Sequence, residues 1–315
     1  MEDRPTPRQA ATPRGSGPPG ERLAERLAAE IKGLMVEPLA PGLYLVATPI
    51  GNLADITLRA LSVLASADQL YCEDTRHSRK LLSRYGISRS AATYHEHNAD
   101  RVRPRILAEL AAHRAVALAT DAGTPLISDP GFKLARAALD EGHTVISIPG
   151  PSAVLAALTA SGLPTDTFLF AGFLPPRSAA RRARIAELEK ATATLVLFET
   201  PSRLAAMLDD LADILGDRVA AVARELTKLH EEVRRDSLSG LAAWAGSAEV
   251  RGEIVVLVAP PAAKEISDAA IVARLEGALA TMSVRDAVKT VAEALGAART
   301  RVYDLAIELR RRQSE

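Results

Sequence analysis

Residues 121–131, Asp-Ala-Gly-Thr-Pro-Leu-Ile-Ser-Asp-Pro-Gly, place two carboxylates, two glycines and two prolines directly after a short apolar run, Ala115 to Thr120. That run reads as a buried parallel strand, and a loop leaving the carboxyl end of such a strand is where open α/β sheets hold ligands. Glycine lets a ligand approach the backbone, proline stiffens it, and aspartate offers negative charge or caps the following helix. Two readings are open here: a ligand cradle, in which Asp121 favours a cationic ligand, and a tight strand-to-helix connection held by capping aspartates.

Other reactive groups narrow the chemistry. Cys72 is the single cysteine, so an internal disulfide framework is excluded, and at the end of an apolar run it is expected to be a small buried hydrophobe rather than a nucleophile. His95-Glu96-His97 is the one compact His/Glu cluster, but strand-like alternation would send the imidazoles one way and the carboxylate the other, so no metal site is expected. The sequence has no Gly-x-Gly-x-x-Gly after a strand, no P-loop and no His-Glu-x-x-His, which excludes the standard dinucleotide, nucleotide and zincin sites. Lysine plus arginine equals aspartate plus glutamate at 39 each, so any surface that attracts a polyanion has to be local. No apolar stretch reaches membrane-spanning length and no signal-peptide core is visible, which makes the cytoplasm the expected location.

These groups need a scaffold, and 315 residues at 48 % hydrophobic can build roughly two domains. Strands are expected at 43–48, 69–72, 115–120 and 145–148, alternating with helices at 58–65, 78–84, 106–112 and 132–139, a beat that predicts a largely parallel sheet covered by helices. Pro149-Gly150-Pro151-Ser152 closes this set, with Ser152 as N-cap of a helix over 153–160, and Gly162-Leu163-Pro164 breaks the chain. A second α/β set has strands at 167–170, 194–198, 219–223 and 254–258 and helices near 178–190 and 202–215. After Pro260-Pro261 only helices are expected: 268–280, a helix from the Ser283/Asp286 capping box to Gly296, and one capped by Thr300. The expected division is therefore 1–40, an extension with a disordered start and an amphipathic helix at 21–34; 41–161 and 162–260, two α/β domains; and 265–313, a small helix-turn-helix bundle.

Five motifs occur in order along this scaffold: Thr48-Pro49-Ile50-Gly51-Asn52-Leu53, Glu73-Asp74-Thr75-Arg76, the Asp121 to Gly131 loop, Pro149-Gly150-Pro151-Ser152, and Arg224-Glu225-Leu226-Thr227-Lys228 with His230-Glu231-Glu232. Together they resemble the ribosomal RNA small subunit methyltransferase I type within the tetrapyrrole methylase superfamily, over residues 43–260. The helical tail is similar to that family's C-terminal helix-turn-helix domain. One segment departs: Phe198-Glu199-Thr200-Pro201-Ser202-Arg203 has Thr and Ser where Ser and His are common in the family, with Glu199 and Arg203 retained. The resemblance implies two α/β domains with a cleft between them, S-adenosylmethionine as methyl donor, and the ribose 2′-oxygen of a cytidine in 16S rRNA as acceptor. It also implies a donor site around Pro49, Asp121, Gly123, Thr124, Ser152, Phe198 and Gly252, and a homodimer.

Methyl transfer asks for sulfur, methyl and acceptor oxygen nearly in line, so positioning is the protein's main task. The acceptor hydroxyl is weakly acidic, and a proton-accepting group is expected within hydrogen-bond reach. Glu73, Asp74, His97, Glu225, Lys228 and Glu231 belong to the resembling motifs, with Glu73 and Lys228 the catalytic candidates. The competing reading makes Glu73, Arg76, Arg224 and Glu225 structural ion pairs across the domain interface. RNA should meet local basic surface: eight Lys or Arg lie between Arg76 and Arg105 against Glu96 and Asp100, and Arg177, Arg181, Arg182 and Arg184 form a second cluster. Contacts are expected at Arg76, Arg79, Lys80, Arg84, Arg181 and Arg182, with Arg310 to Arg312 as a third group, and the partner as 16S rRNA or an assembled 30S subunit. Two alternatives remain: a small-molecule (tetrapyrrole) methyltransferase, which would not need the basic segments or the helical tail, and a non-enzymatic RNA-binding protein, which would not need the Asp121 loop.

Overall fold

The computed structural model describes residues 19–127, 131–262 and 267–313. Expectations for residues 1–18, for Asp129 of the loop and for the Arg312 side chain lie outside the described residues. An amphipathic helix, α1 (Pro19–Leu34), precedes the first sheet and leaves Leu23 and Leu27 exposed. The described chain forms two compact units, up to Pro260 and from Pro261 on.

The first unit begins with a wholly parallel sheet of β1 (Gly42–Val46), β2 (Gln69–Cys72), β3 (Ala92–Thr93), β4 (Ala115–Ala119) and β5 (Val145–Ile148), in the order β3-β2-β4-β1-β5. Every residue of the adjacent strands β1 and β4 is buried, as expected for parallel strands covered on both faces. Tyr44 and Val46 face a core shared with α2 (Leu58–Ser66) and α3 (Thr75–Arg84). Leu43, Leu45 and Leu118 face the opposite core, with Ile106 of α4 (Ala99–Ala111) and Leu134 of α5 (Phe132–Asp140). Cys72 is buried.

Ser152 caps α6 (Ala153–Ser161) through the Leu155 amide, and Gly162 ends the helix in the left-handed conformation. A second, mixed sheet follows: β6 (Phe168–Phe173), β7 (Thr194–Glu199), β8 (Val219–Arg224), β9 (Glu232–Ser237) and β10 (Ile254–Val258), ordered β6-β7-β10-β8-β9. Only β6 and β7 pair in parallel among these neighbours; the other pairings are antiparallel. Its outer face packs Leu195, Leu197, Val222 and Val256 against α7 (Ser178–Leu188), α8 (Pro201–Leu215) and α9 (Leu238–Ser247). Its inner face sets Val196, Ala223 and Leu257 against Val154, Ala157 and Leu158 of α6, with Ile50 from the loop after β1. This shared core joins the two sheets and fixes the loops that face each other across them.

β3, β9 and α9 have no counterpart in the sequence expectations. β3 is only two residues long, and β9, Glu-Val-Arg-Arg-Asp-Ser, is an edge strand with polar residues on both faces, so neither carries the hydrophobic period that marks a strand. α4 begins seven residues before the expected start and contains Pro104; proline there forfeits one amide donor without ending the helix.

The second unit holds α10 (Asp268–Leu279), α11 (Val284–Leu295) and α12 (Arg299–Gln313) around Ile271, Leu275, Val288, Val291, Val302 and Ala306. Ser283 accepts the Asp286 amide and Gly296 ends α11 with φ +66°, as the capping box and glycine stop predict. Thr300 lies within the first turn of α12 rather than at its cap. Among the described residues no helix is long and apolar enough to cross a membrane.

Candidate active site

A parallel sheet directs the carboxyl ends of all its strands to one edge, so the loops after β1, β2, β4 and β5 gather there. Thr48 and Gly123 join the β1 and β4 loops by reciprocal backbone hydrogen bonds of 2.9 Å. Gly123 has φ +84°, which a side chain would strain. The Thr124 hydroxyl donates to the Pro151 carbonyl at 3.1 Å and ties the β4 and β5 loops together.

These loops face β7, β10 and the 225–228 loop across a cavity of about 290 Å³. Five of the seven expected donor-site residues, Gly123, Thr124, Ser152, Phe198 and Gly252, line it, with Ile50, Val154, Leu226 and Val255 as apolar walls. Phe198 stands edge-on to Phe170 and Phe173, with ring centroids 4.9 and 5.5 Å away. Gly252 has φ +92°, and a Cβ there would collide with the Glu225 side chain. A mainly apolar, half-open pocket of this size, with a few polar groups and two glycines in its lining, suits a small organic ligand.

The other two, Pro49 and Asp121, line a second cavity of about 320 Å³ together with His77, Ser78, Lys80 and Lys228. The cavities adjoin: Ile50, Ala122 and Glu253 line both. Asp121 Oδ1 accepts the Asp74 amide at 2.9 Å and so anchors the turn into α3. Both readings of the loop are thus partly realised, the carboxylate holding a turn and the following Gly-Thr lining a pocket. Asp74 itself caps α3 and pairs with Arg76 at 2.9 Å, and the Arg76 guanidinium and amide hold its carboxyl down at about 2.

Lys228 Nζ lies 2.8 Å from Glu225 Oε1 and 3.1 Å from Glu253 Oε2. Burial alone would lower its pKa, but hydrogen bonds from the ammonium to the two carboxylates outweigh it and the net shift is upward. Glu225 is shifted downward, by Lys228 first and the Glu253 amide second. The loop that presents Lys228 is strained: Glu225 and Thr227 take φ values of +51° and +66°. It is held against the β1 loop by the Asn52 amide, which donates to Thr227 Oγ1 at 3.0 Å. Gly51 makes that approach possible, since a Cβ there would stand 2.5 Å from Lys228 Cγ and 3.0 Å from the Leu226 carbonyl oxygen.

Glu73, half-buried just after β2, lines neither cavity. Ion pairs of Arg76, Arg224 and Glu225 are local, to Asp74, Glu232 and Lys228, which corrects the expectation that they bridge the sheets. Arg76, Arg79, Lys80 and Arg84 are exposed on α3. Arg181 is a correction: it is buried and its guanidinium lies 2.6 Å from Asp210 of α8, which also pairs with Arg182, itself bonded to Asp213. Of the 177–184 cluster, Arg181 and Arg182 are thus committed to acids of α8, and Arg184 pairs with Glu187 on its own helix. His95 to His97 leave β3 in a turn instead of a strand, with the two rings 6.0 Å apart. Among the described residues no group of three His, Cys, Asp or Glu is placed to hold a metal ion.

Sequence reasoning did not single out Glu253, although its position beside Gly252 and just before an apolar strand is a loop signal of the same kind as Asp121. Glu199, retained in the departing segment, shares the strand parity of Leu195 and Leu197; its carboxylate accepts the Thr200 amide at 2.8 Å and pairs with Arg203 at 3.1 Å. It is the last residue of β7, lines the first cavity and is held by the first turn of α8.

Residues 42–242 match the family described as Tetrapyrrole (Corrin/Porphyrin) Methylases, and residues 265–310 match the RsmI C-terminal HTH domain. A protein named Ribosomal RNA small subunit methyltransferase I from Mesorhizobium japonicum is 52 % identical, covering 87 % of this chain and 94 % of its own. One of the same name from Xylella fastidiosa is 45 % identical, covering 84 % and 98 %. Among solved structures, diphthine synthase aligns with a TM-score of 0.56 at 18 % identity, covering 69 % of this chain and 89 % of its own. Cobalt precorrin-4 methyltransferase aligns at 0.53 and 18 %, covering 69 % and 94 %. At these identities the structural likeness speaks for the fold.

Proposed function

The chain belongs to the ribosomal RNA small subunit methyltransferase I family of tetrapyrrole methylases, and from that premise we propose that it transfers the methyl group of S-adenosylmethionine to the ribose 2′-oxygen of a cytidine in 16S rRNA. The observation that carries this reading is the pair of adjoining cavities with Ile50, Ala122 and Glu253 at their junction. The one at Gly123, Thr124, Ser152, Phe198 and Gly252, lined by fewer charged side chains, takes the donor. The one holding Lys228 takes the acceptor nucleotide. When bound, the donor supplies an electrophilic methyl group on a sulfonium.

This chain's residues then supply position and charge. Phe198 and the aliphatic walls exclude water, and the Thr48–Gly123 and Thr124–Pro151 bonds hold the loops rigid. Lys228, kept as an ammonium by Glu225 and Glu253, stabilises negative charge developing on the acceptor oxygen and does not serve as the base. Glu253, at the junction, is the carboxylate assigned to accept the proton. The exposed cations of α3 meet the RNA, and the reading carries with it a cytoplasmic location and a homodimer. The match to a helix-turn-helix domain favours a nucleic-acid substrate over a tetrapyrrole.

The test is transfer of radiolabelled methyl from S-adenosylmethionine to 30S subunits lacking the modification, with free 16S rRNA in parallel and mass spectrometry of nuclease fragments. Label on a ribose 2′-oxygen is the expected result, and comparing the two substrates identifies the form the enzyme uses. No label on either, with donor binding confirmed, would shift the assignment to a small-molecule acceptor.

A further inference from the structure

On α3, residues 77, 78, 80 and 81 line the second cavity, while Thr75, Arg79 and Ser83 fall on another face at the i, i+4, i+8 spacing. That face borders an open groove of about 680 Å³, closed on its other side by the loop carrying Ser88, Arg89 and Ser90. Leu82 lines both, so the helix forms the wall between groove and acceptor cavity.

The groove has the chemistry of an anion site. Two guanidinium-bearing and four hydroxyl-bearing residues line it, and no carboxylate or aromatic side chain does. Arg79 is exposed and forms no ion pair among the described residues. Arg89 is pre-oriented: one of its terminal nitrogens donates to the Ala67 carbonyl and approaches that of Asp68 at 3.3 Å. Its remaining donors stay available in the fixed fork that matches a phosphate.

We propose that this groove, on the opposite side of α3 from the acceptor cavity, binds a backbone phosphodiester of the RNA strand next to the nucleotide being methylated. The inference rests on the function proposed above. The absence of aromatic lining argues for backbone positioning rather than base reading. A helix is about 10 Å across with its side chains, so the phosphate bound here belongs to a neighbouring nucleotide and sets the register in which the acceptor ribose enters the cavity.

The test is binding of a single-stranded 16S rRNA fragment by the full chain across a salt series, for Arg79→Gln on the helix and Ser88→Glu on the loop, with calorimetric S-adenosylmethionine affinity measured on the same preparations. Loss of one phosphate contact should reduce the slope of log K against log salt by about 0.7 in Arg79→Gln. Ser88→Glu should weaken RNA binding at low salt, and both should keep wild-type donor affinity. Unchanged RNA affinity and slope in both variants would overturn the proposal. Should Arg79→Gln also lose donor affinity, its fold is damaged and Ser88→Glu decides. Failure of the functional reading shows separately, as absence of methyl transfer by the unaltered protein, a readout these slopes do not use.

Discussion

Replacing Gly51 by alanine adds one methyl group at the point where the β1 loop meets the loop carrying Lys228. The new Cβ would stand 2.5 Å from Lys228 Cγ, 2.8 Å from Thr227 Oγ1 and 3.0 Å from the Leu226 carbonyl oxygen. The lysine stem can swing aside, but the carbonyl is backbone and the threonine oxygen holds the Asn52 amide, so the loops must separate. Reaching ordinary contact takes roughly half an ångström to one ångström of retreat, and misplacement of about 1 Å at a reacting centre costs up to about 100-fold in rate. Losing the Asn52–Thr227 hydrogen bond costs about 1 kcal/mol of stability. The expected result is therefore kcat for methyl transfer reduced about 10- to 100-fold, with S-adenosylmethionine affinity nearly unchanged because Gly51 does not line the donor cavity. Steady-state kinetics against 30S subunits and calorimetry of donor binding read the two quantities separately. Gly246→Ala, in α9 with open space around its Cβ position, serves as the control and should leave kcat unchanged. A Gly51→Ala enzyme with wild-type kcat would refute the argument that the position of Lys228 matters to the chemistry.

Three further outcomes follow from the geometry. Phe198→Ala removes an aromatic wall of the first cavity and should weaken donor binding about 10-fold or more, from partial loss of the roughly 1.5–3 kcal/mol of a buried phenyl; equal calorimetric affinities would remove Phe198 from the donor site. Arg181→Ala leaves Asp210 buried with only Arg182 as partner and should cost about 3 kcal/mol in urea denaturation, while RNA affinity stays at the wild-type value. The Glu225–Lys228 pair sets a pH dependence. Glu225 is shifted below its ordinary 4.5, so its contribution is present above that value and is lost as pH falls through the lower folded one. Lys228 is shifted above its ordinary 10.5, so its share is complete below that value and is lost only as pH rises through the higher folded one. Thermal denaturation of Glu225→Gln should accordingly fall below wild type between these limits and converge with it in acid; parallel curves throughout would show that the pair adds nothing.

Much of the scaffold was legible in the sequence because buried parallel strands and amphipathic helices write their periods directly into the chain. The strands at 69–72, 145–148 and 254–258 appear with the expected bounds, and the caps at Ser152 and Ser283 rest on local hydrogen bonds that a few neighbouring residues settle. Five donor-site candidates converge on one cavity because Gly123, Thr124 and Ser152 sit in loops leaving strands of the first sheet, while Phe198 at the end of β7 and Gly252 just before β10 lie at adjacent strands of the second. What the linear pattern does not contain is which charges meet. Arg181 reads as surface in a basic run, yet α7 packs on α8 and turns it toward Asp210, 29 residues away. Asp121 reads as a ligand group, yet the β4–β2 pairing brings it within 2.9 Å of the Asp74 amide. Lys228 reads as a candidate proton acceptor, and its contacts with Glu225 and Glu253 shift it further toward the ammonium. The sequence by itself determined the periodic elements, their caps and the loops bearing the site, because these depend on nearest neighbours and on the partition of apolar residues. Tertiary structure alone decided the protonation and exposure of the charged groups, because those depend on partners that only long-range packing brings within hydrogen-bond reach.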